Sequence, residues 1–503
     1  MGATLPGGAD ALRPGQHAAR LAGRPACRGG RGGGAAAPAR ARHPALPAPA
    51  GPRPLERAGA GPRRAHRGGA GRTRPVTEIA AAVAAAAPLA QRLLDRLAAI
   101  GADPPGITRE AFGPGENAAH ALIAEAGEAL GLERAVDAGA NLALRWPGRD
   151  PEAPPILIGS HLDSVVQGGN FDGAAGVVAG LAAIAGLRAA GVRPRRSIEL
   201  LALRCEEAVW FGLGLIGSRC LLARLPPGAL DLRHARSGAT LAESIAACGG
   251  DPARLREGAP LRDPARLDSY LELHIEQAPQ LVEAGAPFGL CLANPGNLRH
   301  PQIRITGEDA HTGLPHRFRR DAALAGAELA LALEGLWLQE EAAGRPMAVT
   351  IGRFHTPAER HSLTMVSGRF ELSLDLRAYD PAHLAALEGR LAEILAGVAA
   401  RRGVQIDPGP RSAAAPGAMD PAILEALADA AAAAGGPAPR LNSPGSHDAN
   451  NFAAAGVPTG MLLVRNRNGS HNPAEAMETA DLMAATGALA AWLATRAGAG
   501  PSA

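Results

Sequence analysis

The sequence predicts an α/β protein with a mostly parallel sheet flanked by helices, into which a smaller α+β unit is inserted. From residue 76 onward, short apolar runs typical of buried strands alternate with longer stretches typical of helices, which is the rhythm of a parallel sheet. Between about residues 295 and 412 the order changes to strand, helix, strand, strand, helix, strand. This is the order of a ferredoxin-like unit. We therefore expect two domains, one interrupting the other.

The elements before the insertion follow each other at short intervals. Helices are predicted over 77–100, 115–131 and 173–191, and strands in "ANLALRW" (140–146), "PPILIGSH" (154–161) and "RSIELLALRC" (196–205). In such sheets ligands bind where the strands end. We therefore expect functional residues at the carboxyl ends of these strands.

The insertion and the final part of the chain complete the predicted architecture. In the insertion, strands are predicted at 301–307, 347–354, 368–379 and 403–409, with helices over 320–338 and 381–402. A helix at 420–434, a strand at 458–466 and a closing helix at 479–497 follow. The predicted division is thus a larger domain formed by 76–294 and 413–503, with an inserted domain at 295–412.

Residues 1–75 differ from the rest in composition. They are rich in Gly, Ala, Pro and Arg, with 14 arginines against Asp10 and Glu56, and lack a periodic apolar pattern. We interpret them as a disordered extension, and favour a start codon assigned too far upstream, with the protein beginning near Val76. A basic tail that binds nucleic acid or an anionic membrane is the alternative, but interleaved aromatic residues are missing. We expect neither partner.

The composition also excludes several mechanisms. The chain contains no lysine, which removes Schiff-base and P-loop lysine chemistry. Its five cysteines are scattered without a CxxC pair, so that neither a disulfide framework nor a zinc ribbon is predicted, and a cytoplasmic location is expected. No apolar stretch has the length of a transmembrane helix, and the N-terminus lacks the apolar core of a secretory signal.

The stretch "GSHLDSVVQGGNFDGAAG" contains the first candidate site. His161 and Asp163 are two residues apart at a strand end, so their side chains point the same way. This pattern suits a metal-bound imidazole held by a carboxylate, although a hydrogen-bonded loop is the simpler interpretation. Asp172 precedes a helix, where it serves either as an N-cap or as a carboxylate that bridges two cations.

Two adjacent glutamates follow the next strand in "LRCEEAVWFG". Glu206 and Glu207 repel each other unless cations or a division of roles relieve the repulsion. One as metal ligand and the other as general base is such a division, whereas two exposed acids on a loop are the plain alternative.

Further histidines occur in "LELHIEQAP", "GEDAHTG", "SPGSHDANNF" and "RNGSHNPAE", and each alone is usually structural. Together, one set of residues supplies nitrogen and oxygen ligands without thiolates: His161, Asp172, Glu207, His274 and His471. This set suits two divalent ions such as Zn, Mn, Co or Ni, which activate a water and polarise a carbonyl while Glu206 takes the proton. Neither a G-x-S-x-G elbow nor a cysteine nucleophile with a fixed partner occurs, which disfavours acyl-enzyme chemistry.

These motifs, with "RRDAAL" and "LDLRAYD", occur in one order over about residues 76–500. The sequence resembles the di-metal amidohydrolases that include aminoacylases and bacterial glutamate carboxypeptidases. Within them it is most similar to the N-carbamoyl-L-amino-acid hydrolases, β-ureidopropionases and allantoate amidohydrolases (the hydantoinase/carbamoylase family). The resemblance implies a metallopeptidase/phosphorylase-type catalytic domain, two divalent metal ions per subunit, and a homodimer formed through the inserted lid domain.

The resemblance also implies roles for individual residues. One metal would be held by His161 and His274, the other by Glu207 and His471, with Asp172 bridging and Glu206 as base. Asp163 would support the catalytic centre, and His311 would reach the partner's active site to stabilise the oxyanion. The residues implied in substrate binding are Arg377, which would grip a carboxylate, Gln277, His447 and Thr364. Thr364, in "TMVSG", replaces an asparagine that relatives commonly have.

The predicted activity is hydrolysis of a C–N bond in a small ureido or N-carbamoyl acid. An N-acyl-amino-acid hydrolase or dipeptidase is the nearest alternative. His274 argues against it, because related peptidases more often have an acidic ligand there, whereas the altered loop "HTGLPHRFRRDA" leaves it open. A non-catalytic binding protein would be expected to lack a ligand or Glu206, and all are present.

Overall fold

The computed structural model of the chain describes residues 76–434 and 438–498. The predictions made for residues 1–75 lie outside the described residues. No helix in these two ranges has both the length and the apolar character needed to cross a bilayer.

The central sheet of the described chain has eight strands, and its four middle strands run parallel. In spatial order the strands are Arg440–Leu441, Phe288–Cys291, Thr459–Val464, Ser269–Ile275, Ile156–His161, Ile198–Leu203, Leu142–Trp146 and Glu133–Val136. The last two pair antiparallel, as does Phe288–Cys291 with Thr459–Val464. The predicted α/β class with a mostly parallel sheet is confirmed.

The described chain outside the inserted segment also contains helices, several of which pack on this sheet. They are Val76–Ala84, Ala87–Ile100, Pro114–Ala129, Ala174–Ala189, Ile216–Leu221, Leu241–Ala247, Pro252–Arg256, Gln280–Glu283, Pro421–Ala434, Ala449–Ala454 and Thr479–Arg496. Ala174–Ala189 is buried along almost its whole length because small residues let it approach the strands closely. A Cβ at Gly176 would lie 2.0 Å from the carbonyl oxygen of Leu273. This close contact fixes the distance between the strand Ser269–Ile275 and the first turn of the helix, which begins two residues after Asp172.

The single helix predicted over 77–100 is wrong. The structure has two helices, Val76–Ala84 and Ala87–Ile100, with Pro88 in the first turn of the second. Proline lacks the backbone N–H and its ring clashes with the carbonyl four residues earlier, so the first helix ends before it.

The segment between the two parts of the central sheet forms a second sheet. Its strands are Met347–Thr350, Arg369–Ala378, Gly296–Thr306 and Gln405–Asp407 in spatial order, with Phe354–His355 and Ser412–Ala414 at the side. All its pairings are antiparallel. The helices Ala322–Ala342 and Pro381–Arg402 pack on it around a buried cluster that is separate from the main core. The first strand starts five residues earlier than predicted and contains a bulge between His300 and Ile303.

Short elements complete the described chain. Two-residue strands pair as Ala102–Asp103 with Gly106–Ile107, Ala293–Asn294 with Gly417–Ala418, Ala310–His311 with Met365–Val366, and Asn466–Arg467 with Ala476–Met477. The 3-10 helices are Ala229–Asp231, Pro264–Arg266, His316–Phe318 and Ala358–Arg360.

Candidate metal centre

The first candidate ligand lies at the carboxyl edge of the central sheet. His161 is the last residue of the strand Ile156–His161 and is fully buried. The parallel neighbour Ser269–Ile275 carries His274, which is also fully buried, to the same edge. The sheet thus brings together two histidines that are 113 positions apart in the sequence.

Arg109 holds the loop between His161 and Asp172 in place. Its buried guanidinium donates hydrogen bonds to the carbonyl oxygen of Leu162 at 2.7 Å and to Asn170 Oδ1 at 2.9 Å. Burial lowers the pKa of Arg109 to about 10, so it stays a cation at neutral pH. Arg109 was not predicted from the sequence, because its partners lie 53 and 61 positions away along the chain.

The two buried imidazoles present lone pairs to the same point. His161 Nδ1 lies 3.2 Å from the carbonyl oxygen of Asp163, and His274 Nδ1 lies 3.0 Å from that of Ile275. A carbonyl only accepts hydrogen bonds, so in each neutral ring Nδ1 carries the proton and Nε2 keeps its lone pair. The two Nε2 atoms are 3.5 Å apart. This is the arrangement expected of two histidines that share a cation.

Asp172 lies at the centre of the candidate ligands. Its Oδ1 is 3.1 Å from His274 Nε2 and 3.5 Å from His161 Nε2, and its Oδ2 is 3.5 Å from His471 Nε2. Glu207 Oε1 is 3.2 Å from the same His471 nitrogen. Two groups that could hold a metal ion result, and they share Asp172: His161, Asp172 and His274, and Asp172, Glu207 and His471. The five ligands predicted from the sequence therefore come together.

Asp163 positions the two adjacent glutamates. Its Oδ1 accepts a hydrogen bond from the backbone N–H of Glu206 at 3.0 Å, and its Oδ2 accepts one from that of Glu207 at 3.1 Å. The predicted contact with His161 is also present, at 3.3 Å from Nδ1 to Oδ1. Cys205 precedes the pair in a left-handed conformation with φ of 52°, which a non-glycine residue adopts only under constraint.

Glu206, the residue predicted as the general base, lies in an environment that changes its acidity. Burial raises the pKa of Glu206 well above its ordinary value, with a further contribution from Glu207 against the opposing effect of His161. Its Oε2 lies 3.9 Å from His161 Nε2. A carboxylate that takes a proton from water near neutral pH needs a raised pKa of this kind.

The charge and burial of the candidate ligands suit a divalent cation. Glu207 Oε1 is buried without a well-directed hydrogen bond, and His471 Nε2 lies 3.2 Å from it. A buried carboxylate in this position costs free energy unless a protonated His471 or a metal ion compensates its charge. Although burial lowers the pKa of His161, the carboxylates of Asp163 and Asp172 raise it well above its usual value. The centre thus has an excess of negative charge that protons or metal ions must neutralise.

A cavity of about 470 Å³ is lined by four of the five candidate ligands, Asp172, Glu207, His274 and His471. Gln277 and His447, the predicted substrate-binding residues, also line it, but in the structure both bind protein groups. Gln277 Nε2 donates to Asp172 Oδ2 at 2.7 Å, and His447 Nε2 is 2.7 Å from Ser443 Oγ. Burial and the neighbouring His274 lower the pKa of His447 well below its ordinary value, which leaves a neutral imidazole.

Arg377 also lines the cavity, but its guanidinium is already engaged. Its Nε and Nη2 donate to the two oxygens of Asp375 at 3.3 and 3.1 Å, and its Nη1 donates to the carbonyl oxygen of Pro444 at 3.1 Å. A grip on a substrate carboxylate through the Nε–Nη2 edge therefore requires displacement of Asp375. Arg299, which the sequence analysis did not identify, lines the same cavity and binds the same carboxylate at 3.0 Å.

His311 and Thr364 do not line this cavity. They lie close together on exposed segments of the inserted region, where the backbone N–H of Thr312 donates to the carbonyl oxygen of Thr364 at 2.9 Å. Their roles in catalysis and substrate binding stay predictions.

Ser470 and Glu475 support Asp172 and were not predicted as site residues. Ser470 Oγ contacts Asp172 Oδ2 and is 2.6 Å from Glu475 Oε2. Glu475 Oε1 accepts hydrogen bonds from the backbone N–H groups of Phe171 at 2.8 Å and Asp172 at 3.2 Å. Both residues occur in the motif "RNGSHNPAE" around His471, and this motif is the sequence signal that could have identified them.

Replacing Gly173 by alanine is expected to weaken metal binding about 10- to 100-fold, the usual effect of disturbing the support of a ligand. Gly173 has φ of 66°, and a Cβ there would lie 2.3 Å from His161 Nε2. Competition with a chromophoric chelator measures the change. Gly456→Ala is the matched control, because it has φ of 81° with nothing within 4 Å of its Cβ. Equal metal affinity in both variants would contradict the placement of His161.

Comparison with known proteins shows the family to which the chain belongs. The family model described as peptidase family M20/M25/M40 matches residues 157–495. The chain belongs to this family. Members of the M20/M25/M40 family are metal-dependent, and the family resemblance inferred from the sequence motifs is confirmed.

Several relatives within the M20/M25/M40 family are similar over most of the chain. The N-carbamoyl-L-amino acid amidohydrolase of Geobacillus stearothermophilus is 36% identical over 389 residues, which cover 76% of this chain and 92% of the relative. The allantoate amidohydrolase of Escherichia coli is 29% identical over 398 residues, covering 78% and 93%. A solved hydantoinase/carbamoylase family amidase from Burkholderia ambifaria matches with a TM-score of 0.70 and 32% identity, covering 82% of this chain and 98% of that one.

Proposed function

We propose that this protein hydrolyses the linear C–N bond of a small ureido or N-carbamoyl acid, with release of ammonia, carbon dioxide and an amino acid or related acid. The observation that carries the proposal is the shared position of Asp172 between two histidines on one side and Glu207 with His471 on the other. The names of the similar amidohydrolases support the choice of bond.

Individual residues of the chain have separate roles in this proposed reaction. Two divalent cations, when bound by the two groups, supply an activated water and a polarised carbonyl. Glu206 accepts the proton of the water and delivers it to the leaving nitrogen. Asp163 keeps Glu206 oriented through the backbone N–H of that residue. Arg377, Gln277 and His447 lie along the same cavity, where they would contact the substrate in exchange for their protein partners Asp375, Asp172 and Ser443.

Ammonia release tests the proposal. Metal-reconstituted protein is offered N-carbamoyl amino acids, allantoate and ureidopropionate, and, in parallel, N-acyl amino acids and dipeptides. Ammonia from any of the first group supports the proposal. Hydrolysis of only N-acyl amino acids or dipeptides would contradict the proposal and would show that the protein is an acyl-amino-acid hydrolase or a dipeptidase.

We also propose that residues 295–412 form a ferredoxin-like domain through which the protein dimerises. The helix Ala322–Ala342 carries Leu324, Leu331 and Leu338 at intervals of seven, and these are 42%, 67% and 61% exposed. Such spacing places them on one face of the helix, away from the buried Leu329 and its neighbours. An exposed apolar stripe of this kind is typical of a surface that another chain covers.

Leu331→Glu is therefore expected to convert a dimer to a monomer in sedimentation velocity and, if His311 acts in the partner's site, to lower ammonia release at least about tenfold. The control is Val282→Glu, at a 42% exposed valine outside the inserted segment. A dimer unchanged by Leu331→Glu would contradict the proposed interface.

We further propose a cytoplasmic location, which the free thiols of Cys205, Cys220, Cys248 and Cys291 support.

A further inference from the structure

The cavity holds more positive charge than one substrate carboxylate requires. Arg219, Arg299 and Arg377 all line it. Asp375 pairs with two of them, at 3.0 Å from Arg299 Nε and 3.1 Å from Arg377 Nη2. Arg219 Nε donates to the carbonyl oxygen of Gly214 at 3.0 Å, and no carboxylate of the described chain lies within ion-pair distance of its guanidinium. The carboxylates of Asp172, Glu206 and Glu207 also line the cavity, where bound metal ions would neutralise them. Apart from that centre, three guanidinium groups and the paired Asp375 leave two formal positive charges.

The register of the inserted sheet places Arg299 and Arg377 on neighbouring strands, two positions apart. Arg299 lies opposite Asp375, and Asn297 lies opposite Arg377, on the strands Gly296–Thr306 and Arg369–Ala378. The alternate residues, such as Leu298 and Leu376, belong to the buried core of the insertion. Because side chains alternate across a strand, the polar residues share the other face. Their place at the cavity is thus set by strand pairing, not by a mobile loop.

Arg299 has unused donors, whereas Arg377 has few. The Nε of Arg299 binds Asp375, and within residues 76–434 and 438–498 its two Nη groups have no hydrogen-bond partner. The side chain is 40% exposed, facing the cavity. Arg377 uses its Nε, Nη1 and Nη2 on protein acceptors. Arg299 is therefore the better prepared of the two to bind a further anionic group in a charge-assisted geometry.

We propose that Arg299 binds a second acidic group of the substrate, so that the preferred ureido acids carry an acidic side chain, as N-carbamoyl-L-glutamate does. This inference rests on the proposed function. The α-carboxylate of a ureido acid compensates one of the two positive charges. An acidic side chain compensates the other at the two Nη groups of Arg299, whereas a neutral side chain leaves these donors without an acceptor in the filled cavity, which costs free energy.

The test compares N-carbamoyl-L-glutamate with N-carbamoyl-L-glutamine, which has nearly the same size but no second charge. We expect kcat/KM of the wild-type protein to favour the glutamate derivative at least about tenfold, the effect of one charge-assisted hydrogen bond. Arg299→Gln is expected to remove that preference, mainly by raising KM for the glutamate derivative. Arg299→Lys keeps the charge and should retain part of the preference.

Arg304→Gln is the matched control, because Arg304 lies on the same strand, 3.7 Å from Asp407, and does not line the cavity. It should leave the preference unchanged. A wild-type protein without preference, or equal losses for both substrates in Arg299→Gln, would overturn the inference while the proposed function stands. Absence of ammonia from every ureido acid would refute the proposed function itself.

Discussion

Replacing Glu206 by glutamine is expected to lower kcat for ammonia release about 10²- to 10⁴-fold while the metal content stays unchanged. Glutamine has the shape of glutamate but cannot accept a proton from water. Glu206 belongs to neither of the two groups that could hold a metal, so the loss should lie in the chemical step. Steady-state kinetics and elemental analysis of the purified protein measure the two quantities.

The control for this variant is Glu283→Gln, at an exposed glutamate of the helix Gln280–Glu283. It should leave both kcat and metal content at the wild-type values. A Glu206→Gln protein with wild-type kcat would remove Glu206 from the mechanism, and one without metal would make it a ligand.

Asp172→Asn is expected to abolish metal binding at both groups and to eliminate activity. Asp172 is the carboxylate that the two groups share, and an amide in its place offers no charge to hold two cations together. We expect less than one metal ion per chain in elemental analysis, and ammonia release lowered by at least about 10³-fold, since the metal-activated water is lost.

Asp231→Asn, at an exposed residue of the short helix Ala229–Asp231, is the corresponding control. Circular dichroism should show that Asp172→Asn remains folded, because the sheet and its core do not depend on this side chain. An Asp172→Asn protein that still binds two metal ions per chain would contradict the shared position of Asp172.

The candidate metal ligands could be predicted from the sequence because of where the strands end. His161 and His274 come at or near the ends of parallel strands, and Glu207 follows the next strand. Parallel strands that end at one edge bring such residues together without any knowledge of distant contacts. The mixed nitrogen and oxygen ligand set then indicated a divalent metal.

Contacts between distant parts of the chain could not be predicted in this way. Arg109 fixes the loop before Asp172 across more than 50 positions, and no local pattern distinguishes it from a surface arginine. The pairing of Asp375 with both Arg299 and Arg377 depends on the register of the inserted sheet, which a one-residue slip would reverse. The break at Pro88 was a local signal that the apolar periodicity on either side concealed.

Stepwise addition of Mn²⁺ or Zn²⁺ to chelator-treated protein tests whether activity depends on two metal ions that share Asp172. Ammonia release from a ureido acid that the native protein hydrolyses is recorded against metal equivalents per chain. We expect negligible activity without metal and saturation at two equivalents, with no recovery in Asp172→Asn. Full activity without added metal, or saturation at one equivalent, would contradict it.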